Sequence, residues 1–286
     1  MSWLRFSVAT RTGPDEVVGG SWAADLSSTA LFNPSIERCS MDVLTVYANS
    51  NPKSFCHAVL DQFTAGLREA GHSSEVVDLY AIGFDPVHRP RDTPSWLTES
   101  IPDDLLDRMR LRESVMEGAG GPLRRFAMKR LLGDRDARGI IRLLRERYQP
   151  KDVLAQQEKV ARAQALAFIA PVHFLSFPVI LKGWFDRVWT PGFAYDLTEE
   201  AWRGDINGRR GLLTHEKALI MQTTLWDERS YDTGLREAMG KIIDEYTLTY
   251  PGIKHVEHVL FHAVHGADDD TRRGYLERAR ELGQNF

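Results

Sequence analysis

The 286-residue chain has little of several features that would indicate a particular class of protein. Its two cysteines, Cys39 and Cys56, have neither the spacing of zinc ligands nor a pairing pattern. A disulfide framework is therefore not expected, which fits a reducing cytoplasm. No apolar run approaches the roughly 20 residues needed to cross a bilayer, so we expect no membrane insertion.

The sequence also lacks an excess of one charge sign. Lysine and arginine number 36 against 40 aspartates and glutamates, a formal net charge of −4. This balance gives no electrostatic footprint for nucleic acid or for an anionic membrane. The apolar and charged fractions, 43% and 27%, are those of a soluble globular domain.

The first 40 residues have no sustained hydrophobic period. Gly, Pro, Ser and Thr are scattered through them, and the apolar core of a signal peptide is absent. We predict that residues 1–40 are a disordered extension, or the product of a start codon upstream of the true one. The folded domain would then span residues 41–286.

From Met41 onwards, predicted strands alternate with predicted helices. The strands are expected over 41–48, 73–81, 164–170, 217–223 and 255–262. The helices between and after them are expected over 54–71, 151–164, 233–250 and 270–282. A helix between successive strands favours parallel pairing, so the pattern predicts a doubly wound α/β sheet.

A charged, arginine-rich segment over about 88–150 interrupts this alternation. We predict two or three short helices there, lying over the sheet edge or over the mouth of the site. The arginines favour a solvated helical face with pairs within each helix. A clamp for a phosphorylated cofactor is the alternative.

Two unusual loops mark the expected ligand site. In an open α/β sheet, ligands bind beyond the carboxyl ends of the strands, where the strand order reverses. For the order 2-1-3-4-5 this point lies between the first and third strands. The loops that follow these strands are NSNPKSFC at 49–56 and PVHFLSF at 171–177.

The first loop lacks both GxGxxG and the P-loop pattern GxxxxGK followed by Ser or Thr. Ser54 stands at a helix start, where the N–H groups of Phe55 and Cys56 could bind a phosphate. An ordinary helix cap at Ser54 is the alternative.

The second loop begins where Pro171 ends a strand, because proline cannot donate to the strand ladder. We expect the N–H groups of 173–175 to be left free to face a ligand. Pro178 suits the first turn of the next helix. Five apolar residues at helical spacing in that helix are expected in the core or in a dimer interface: Ile180, Leu181, Trp184, Phe185 and Val188.

The segment PVHFLSFPVILKGWFDRVWTPGFAY at 171–195 resembles the NAD(P)H:quinone oxidoreductase family. These flavodoxin-like enzymes include quinone reductases and the ancillary reductase-type subunits of potassium efflux systems. NPKSF at 51–55, DLY at 78–80 and F-x-P at 84–86 match as well, and the resemblance extends from 41 to about 263. It implies a five-stranded sheet of order 2-1-3-4-5.

The resemblance further implies a non-covalent FAD, with FMN as the alternative, bound across a homodimer interface. NAD(P)H would supply hydride in a ping-pong reaction with a quinone or similar planar aromatic acceptor. The implied flavin-binding residues are Asn49, Ser54, Phe55, Cys56, Pro171, Val172, His173, Phe174, Leu175, Thr223, Thr224 and Tyr231. Tyr231 would stabilise negative charge on the reduced flavin, and Phe174 and Trp226 would stack on the substrates.

Four positions depart from the family pattern. Asn49 replaces a histidine, and Leu225 and Trp226 replace paired glycines, so the site is narrower or its loop is re-routed. Glu237 stands where a histidine often assists the tyrosine, so Tyr231 would act alone or would not be catalytic.

Several other side chains have two interpretations. His173 could donate a proton to a quinone oxygen, or could be only a polar contact of the ring. Cys56 could be a thiol with a lowered pKa at a helix start, or a small buried residue behind the phosphate. Four histidines, His255, His258, His262 and His265, resemble a metal motif in spacing. Strand alternation separates their faces, so we expect no metal.

The same features allow two other functions. The first is a flavin- and nucleotide-binding regulatory subunit of a potassium-efflux transporter. The second is a tailoring reductase that acts on one aromatic metabolite.

Overall fold

The computed structural model describes residues 40–286. The predicted N-terminal extension therefore lies, except for Ser40, outside the described residues.

Five parallel strands form the central sheet. They are β1 (Asp42–Tyr47), β2 (Ser73–Asp78), β3 (Ala165–Pro171), β6 (Lys217–Thr223) and β7 (His255–Phe261). A separate antiparallel hairpin pairs β4 (Tyr195–Leu197) with β5 (Arg209–Gly211). The main sheet has the order β2-β1-β3-β6-β7, which confirms the predicted flavodoxin-like order 2-1-3-4-5.

Helices cover both faces of this sheet. The main ones are α1 (Phe55–Glu69), α7 (Lys151–Arg162), α8 (Val179–Val188) and α12 (Asp269–Gln284). Strand β3 is buried along its length except at Pro171, as a central parallel strand should be. The five apolar residues of α8 singled out in the sequence all lie in the core on one face of the sheet. On the opposite face, α1 and α12 share a second core with β1.

Two glycines let α1 and α12 approach closely. A Cβ atom on Gly66 would lie 2.1 Å from the carbonyl oxygen of Arg280, and one on Gly283 would lie 2.2 Å from that of Phe63. No side chain fits at either position, so this backbone contact explains both glycines.

The arginine-rich insertion contains more helices than the sequence predicted. A 3₁₀ turn (Pro90–Asp92) is followed by α2 (Thr93–Trp96), α3 (Asp103–Met109), α4 (Leu111–Gly118), α5 (Pro122–Leu132) and α6 (Ala137–Tyr148). The expectation of two or three helices was wrong because most of these helices are too short to show a clear apolar period. The insertion has its own apolar core, formed by Leu97, Ile101, Leu106, Leu111, Leu132, Ile140, Ile141, Leu143 and Leu144.

Its arginines also pair with carboxylates of other segments, and not only within their own helices. The carboxylate of Asp103 lies 2.6 Å from Arg138, and that of Glu99 lies 2.6 Å from Arg142.

The remaining differences from prediction lie after α8. The stretch expected to be a loop holds the β4–β5 hairpin together with α9 (Glu199–Trp202) and a 3₁₀ turn (Ile206–Gly208). After β6 comes α10 (Glu228–Tyr231). The helix predicted over 233–250 then begins as α11 (Leu235–Met239) and continues as a π-helix over Gly240–Thr249. Among residues 40–286, no helix is long and apolar enough to cross a membrane.

A buried arginine joins the insertion to the helix that follows the second predicted loop. Arg187 of α8 is fully buried, and its guanidinium donates to Asp92 at 3.0 Å and to Asp152 at 2.7 Å. It also donates to the carbonyl oxygen of Asp85 at 2.7 Å. Because Asp92 lies in the insertion and Asp152 in α7, a single side chain fixes three segments beside the candidate site.

Candidate active site

The two loops predicted to bind a ligand lie side by side in the structure. Strands β1 and β3 are direct neighbours, and the N–H of Ala48 donates to the carbonyl oxygen of Ile169 at 3.0 Å. The loops that follow them therefore leave the sheet at the same edge, where the strand order reverses.

The first loop presents a free helix start. Asn49 and Asn51 accept hydrogen bonds from the N–H groups two residues further on, both at 2.9 Å, which shapes the turn. Ser54 caps α1 by accepting from the N–H of His57 at 3.2 Å. Within residues 40–286, the N–H groups of Phe55 and Cys56 donate to no protein atom. Ser54 is thus a helix cap, and it leaves two donors at the positive end of a 15-residue helix.

The thiol of Cys56 lies behind this helix start and is not activated. The residue is 2% exposed, and burial raises its pKa to about 12, against smaller opposing effects of Asn49 and Thr223. The interpretation of Cys56 as a thiol with a lowered pKa is therefore wrong, because its pKa is raised. Apolar surroundings penalise the thiolate more than the helix end stabilises it.

This burial predicts an inert thiol. At pH 8 the native protein should be alkylated by iodoacetamide at Cys56 at least about a hundredfold more slowly than a free cysteine, because the thiolate is the reactive form. Peptide mass spectrometry over time measures the rate, and urea-unfolded protein is the control. Rapid labelling of Cys56 in the folded protein would contradict the assignment.

The second loop is a tight two-residue hairpin turn. The N–H of His173 donates to the carbonyl oxygen of Ser176 at 3.0 Å, and the N–H of Ser176 donates back at 3.1 Å. Phe174 and Leu175 have φ values of 44° and 67°, the left-handed region expected at both centres of a type I′ turn. The expectation that the N–H of His173 is free was wrong, because the turn uses it.

The turn leaves other groups available. The N–H groups of Phe174 and Leu175 have no acceptor in the described part of the chain. The side chain of His173 is exposed, and that of Phe174 is fully exposed. Val172 is held against the sheet, since its N–H donates to the carbonyl oxygen of Thr223 at 2.9 Å. Two adjacent backbone donors and an aromatic ring therefore project from a fixed base.

An apolar cavity of about 260 Å³ lies beside this turn. It is lined by Val172, Phe174, Leu175, Leu225, Trp226 and Tyr231. Leu225 and Trp226 are 67% and 47% exposed. The hydroxyl of Thr224 donates to the carbonyl oxygen of Trp226 at 2.7 Å, which fixes the start of their loop. The bulky side chains therefore form the outer rim of the cavity.

Tyr231 lies at the inner wall of the cavity and is 1% exposed. Burial raises the pKa of its hydroxyl, against a smaller opposing effect of the Thr224 side chain. The phenol therefore stays protonated at neutral pH and can act as a hydrogen-bond donor.

A histidine that the sequence analysis did not connect with Tyr231 packs against it. The ring of His262, just after β7, is 5.0 Å from that of Tyr231 in an edge-on arrangement. Arg236 lies 3.3 Å from His262 Nε2, and because arginine only donates, that nitrogen accepts and Nδ1 carries the proton. Burial, followed by the charge of Arg236, lowers the pKa of His262. Glu237, at the position of the expected partner, is exposed.

A second histidine, His258 of β7, belongs to a partly buried hydrogen-bond chain. His258 Nδ1 lies 2.8 Å from Asp244 Oδ1 in the π-helix, and Nε2 lies 2.9 Å from Gln222 Oε1 in β6. Gln222 Nε2 donates in turn to the carbonyl oxygen of Pro171 at 3.5 Å. The chain thus connects three elements to the residue from which the hairpin turn departs. This chain could not be predicted from sequence, because its members span 87 positions, from Pro171 to His258, and share no motif.

Breaking this chain should destabilise the protein. His258→Leu leaves Asp244 and Gln222 without their partner, which predicts a loss of about 1–3 kcal/mol in the free energy of unfolding. His255→Leu, at an exposed position of the same strand, is the matched control and should have little effect. Urea titration of both variants measures the difference, and equal stabilities would refute the role of the chain.

In the part of the chain that the structure describes, no set of three or more His, Cys, Asp or Glu side chains is arranged to hold a metal ion. Of the four spaced histidines, His258 hydrogen-bonds to Asp244 and His262 packs against Tyr231.

Comparison with known proteins gives this arrangement a context. A family model described as the flavodoxin-like fold matches residues 41–282. The structure is similar to an NAD(P)H:quinone oxidoreductase from Methanothermobacter marburgensis, at 32% identity and a TM-score of 0.60, over 86% of this chain and 96% of that one. NAD(P)H dehydrogenase (quinone) 1 of Cavia porcellus is 27% identical over 247 residues, 85% of this chain and 76% of its own length.

A ribosyldihydronicotinamide dehydrogenase-like protein of Penicillium crustosum is 28% identical over 250 residues, 85% of this chain and 81% of its own. The chain belongs to the flavodoxin-like family. More particularly, its relatives are NAD(P)H:quinone oxidoreductases, and it is an enzyme of that oxidoreductase class.

Proposed function

We propose that this enzyme is a cytoplasmic homodimer that uses a bound flavin, FAD or alternatively FMN, to reduce a quinone or similar planar aromatic acceptor with NAD(P)H. When bound, the flavin supplies reversible two-electron chemistry, which lets donor and acceptor use one site in turn. One observation carries the proposal. Two sets of backbone donors that have no acceptor within residues 40–286 lie beside an apolar cavity, at the point where the strand order reverses.

The residues present fit a flavin. The N–H groups of Phe55 and Cys56 at the start of α1 suit a phosphate, because a helix N-terminus attracts anions. The N–H groups of Phe174 and Leu175 suit the polar edge of the flavin ring. Pro171, Val172 and Thr223 would border the ring, and Asn49 would help to shape the phosphate loop. His173, exposed on the turn, would serve as a polar contact.

The cavity rim favours a flat apolar acceptor. Phe174 and Trp226 offer aromatic surfaces that can stack on a planar ring and hold it parallel to the flavin. Leu175 and Leu225 add apolar contact and help to exclude water. This lining has few groups that could recognise a charged or strongly polar substrate.

Tyr231 would stabilise the negative charge that develops as hydride is transferred. Its hydroxyl is held in the neutral form by burial, so it can donate a hydrogen bond without losing its proton to solvent. The Thr224 side chain and the edge-on ring of His262 both interact with Tyr231 and help to fix its position. The proposal assigns charge stabilisation to Tyr231 and positioning to His262.

Release of the chromophore from purified protein tests flavin binding, since absorbance and mass distinguish FAD from FMN. Turnover of NADPH or NADH with a simple quinone then tests the reaction. Colourless protein that binds neither added flavin would refute the proposal. Flavin binding with negligible turnover would instead favour a regulatory subunit.

A proline substitution tests the helix start directly. Phe55→Pro removes one proposed phosphate donor at a position where a helix tolerates proline, and Ser54 already has the extended conformation that proline requires before it. Phe55→Ala is the matched control, because it removes the same ring and keeps the N–H. We expect Phe55→Pro to bind flavin about tenfold more weakly than Phe55→Ala. Equal affinities by fluorescence titration would show that this N–H is not used.

A further inference from the structure

Helix α5 of the insertion turns an apolar face to solvent. Leu123 and Phe126 are 85% and 70% exposed, the extremes for large apolar side chains in this helix. Leu132 is buried on the opposite side of the helix and anchors it to the core of the insertion. Side chains that retain this much exposure project from the surface and do not line a groove.

The same helix carries four positive charges: Arg124, Arg125, Lys129 and Arg130. It contains no acidic residue, and none of the four forms an ion pair within residues 40–286. Many other arginines of the insertion are paired, including Arg108, Arg110, Arg138 and Arg142. The formal net charge of −4 therefore conceals a local positive surface.

Helical spacing places the two kinds of side chain together. At 100° per residue, Phe126, Arg130 and Leu123 fall within about 60° of one another. Lys129 lies about 60° beyond Phe126 on one side, Arg124 about 100° beyond Leu123 on the other, and Arg125 lies further round the helix. The buried Leu132 points the other way. Two apolar tips surrounded by long cationic side chains are typical of a helix that lies on a lipid surface, where the cations reach the headgroups.

We propose that α5 is a membrane-contact helix, which binds in the plane of the interface to a lipid surface with anionic headgroups. The contact is peripheral and spans nothing. Charge complementarity selects this occupant over a second copy of the chain, because a two-fold interface through α5 would bring two sets of four cations together. The inference does not depend on the proposed function, but it would bring the enzyme to acceptors dissolved in the bilayer.

Vesicle sedimentation of the full-length protein tests the proposal. The protein should sediment with vesicles of equal parts phosphatidylglycerol and phosphatidylcholine, and not with phosphatidylcholine alone. Added salt should weaken the binding. Each cation contributes about fivefold to the affinity, so Arg124→Gln, Arg125→Gln, Lys129→Gln and Arg130→Gln together should reduce it more than about a hundredfold. Leu123→Ser with Phe126→Ser should reduce it by about tenfold or more.

Matched controls come from helices elsewhere on the surface. Ile242→Ser replaces an apolar side chain that is 59% exposed on the π-helix. Arg273→Gln with Arg278→Gln removes two exposed charges from α12. Both should bind anionic vesicles as the unaltered protein does. Because the substituted α5 side chains are exposed, these substitutions should leave the thermal unfolding midpoint unchanged. If the multiple substitutions shift the midpoint, Phe126→Ser alone replaces them in the test.

Three results would overturn the proposal. The first is no sedimentation with anionic vesicles at low salt. The second is undiminished binding by the α5 variants, which would place the contact elsewhere. The third is a change of oligomeric state in the α5 variants without an effect on vesicle binding, which would show that the face packs against another copy. Quinone turnover, measured without lipid, reports separately on the proposed function.

Discussion

Tyr231→Phe is expected to lower the rate of flavin reduction by NADPH about a hundredfold, while flavin content stays the same. The substitution removes only the hydroxyl group. A buried donor that stabilises developing charge typically contributes about a hundredfold to the rate. Since burial raises the pKa of Tyr231, the unaltered enzyme should keep this contribution up to and above the ordinary phenol pKa of about 10. Stopped-flow measurement of flavin reduction by NADPH, from pH 6 to about 10, gives the rate directly.

Tyr148→Phe is the control, because it makes the same change at an exposed position at the end of α6. Its rate should equal that of the unaltered enzyme. If Tyr231→Phe also reduces flavin at the normal rate, the hydroxyl has no catalytic role. A loss of flavin in this variant would instead assign Tyr231 to cofactor binding.

Arg187→Leu should lower the free energy of unfolding by about 3–5 kcal/mol. The substitution leaves Asp92, which is 1% exposed, as a buried charge without its partner. Addition of Asp92→Asn should recover part of the loss, because it removes that charge. Urea unfolding of the single and double variants measures both effects. Arg273→Leu, at an exposed ion pair, is the control and should change little.

The same ion pairs predict a dependence on pH. Burial acts to raise the pKa of Asp152, but the hydrogen bond and the charge of Arg187 outweigh it and hold that pKa below its usual value. Such a carboxylate contributes stability above its unfolded pKa of about 3.9, and this contribution is lost as the pH falls through the lowered folded pKa. Arg187→Leu should therefore weaken the dependence of stability on pH below about 4. An unchanged slope would contradict this coupling.

Much of the sheet could be predicted from sequence because each strand carries its own local signal. β6 was predicted with the observed bounds, since a buried parallel strand is a continuous apolar run between turn residues. The position of the candidate site follows from the same topology. Once β1 and β3 are neighbours, the loops after them must leave the sheet together, and no side-chain detail is needed.

What sequence could not predict depends on contacts between distant residues. Phe174 and Leu175 do not predict a type I′ turn, because Asn and Gly are the residues usually found at its two central positions. The contact of His262 with Tyr231 depends on the ends of β6 and β7 lying side by side. The hydrogen-bond chain of His258 depends on which residue of the π-helix, here Asp244, faces β7. The short helices of the insertion are held by their shared core and not by their own periodicity.

The hairpin turn at His173–Ser176 has a consequence for how this enzyme can be improved. Left-handed backbone costs an ordinary residue about 1–2 kcal/mol, and here two neighbouring residues bear it. A variant with Asn and Gly at these positions would be more stable, yet it would lose the aromatic ring and the branched chain that line the apolar cavity. Selection for heat resistance alone should therefore favour replacement of Phe174 and Leu175, and the enzyme's turnover should fall as a result. The two residues would be kept for their side chains although their backbone conformation is unfavourable.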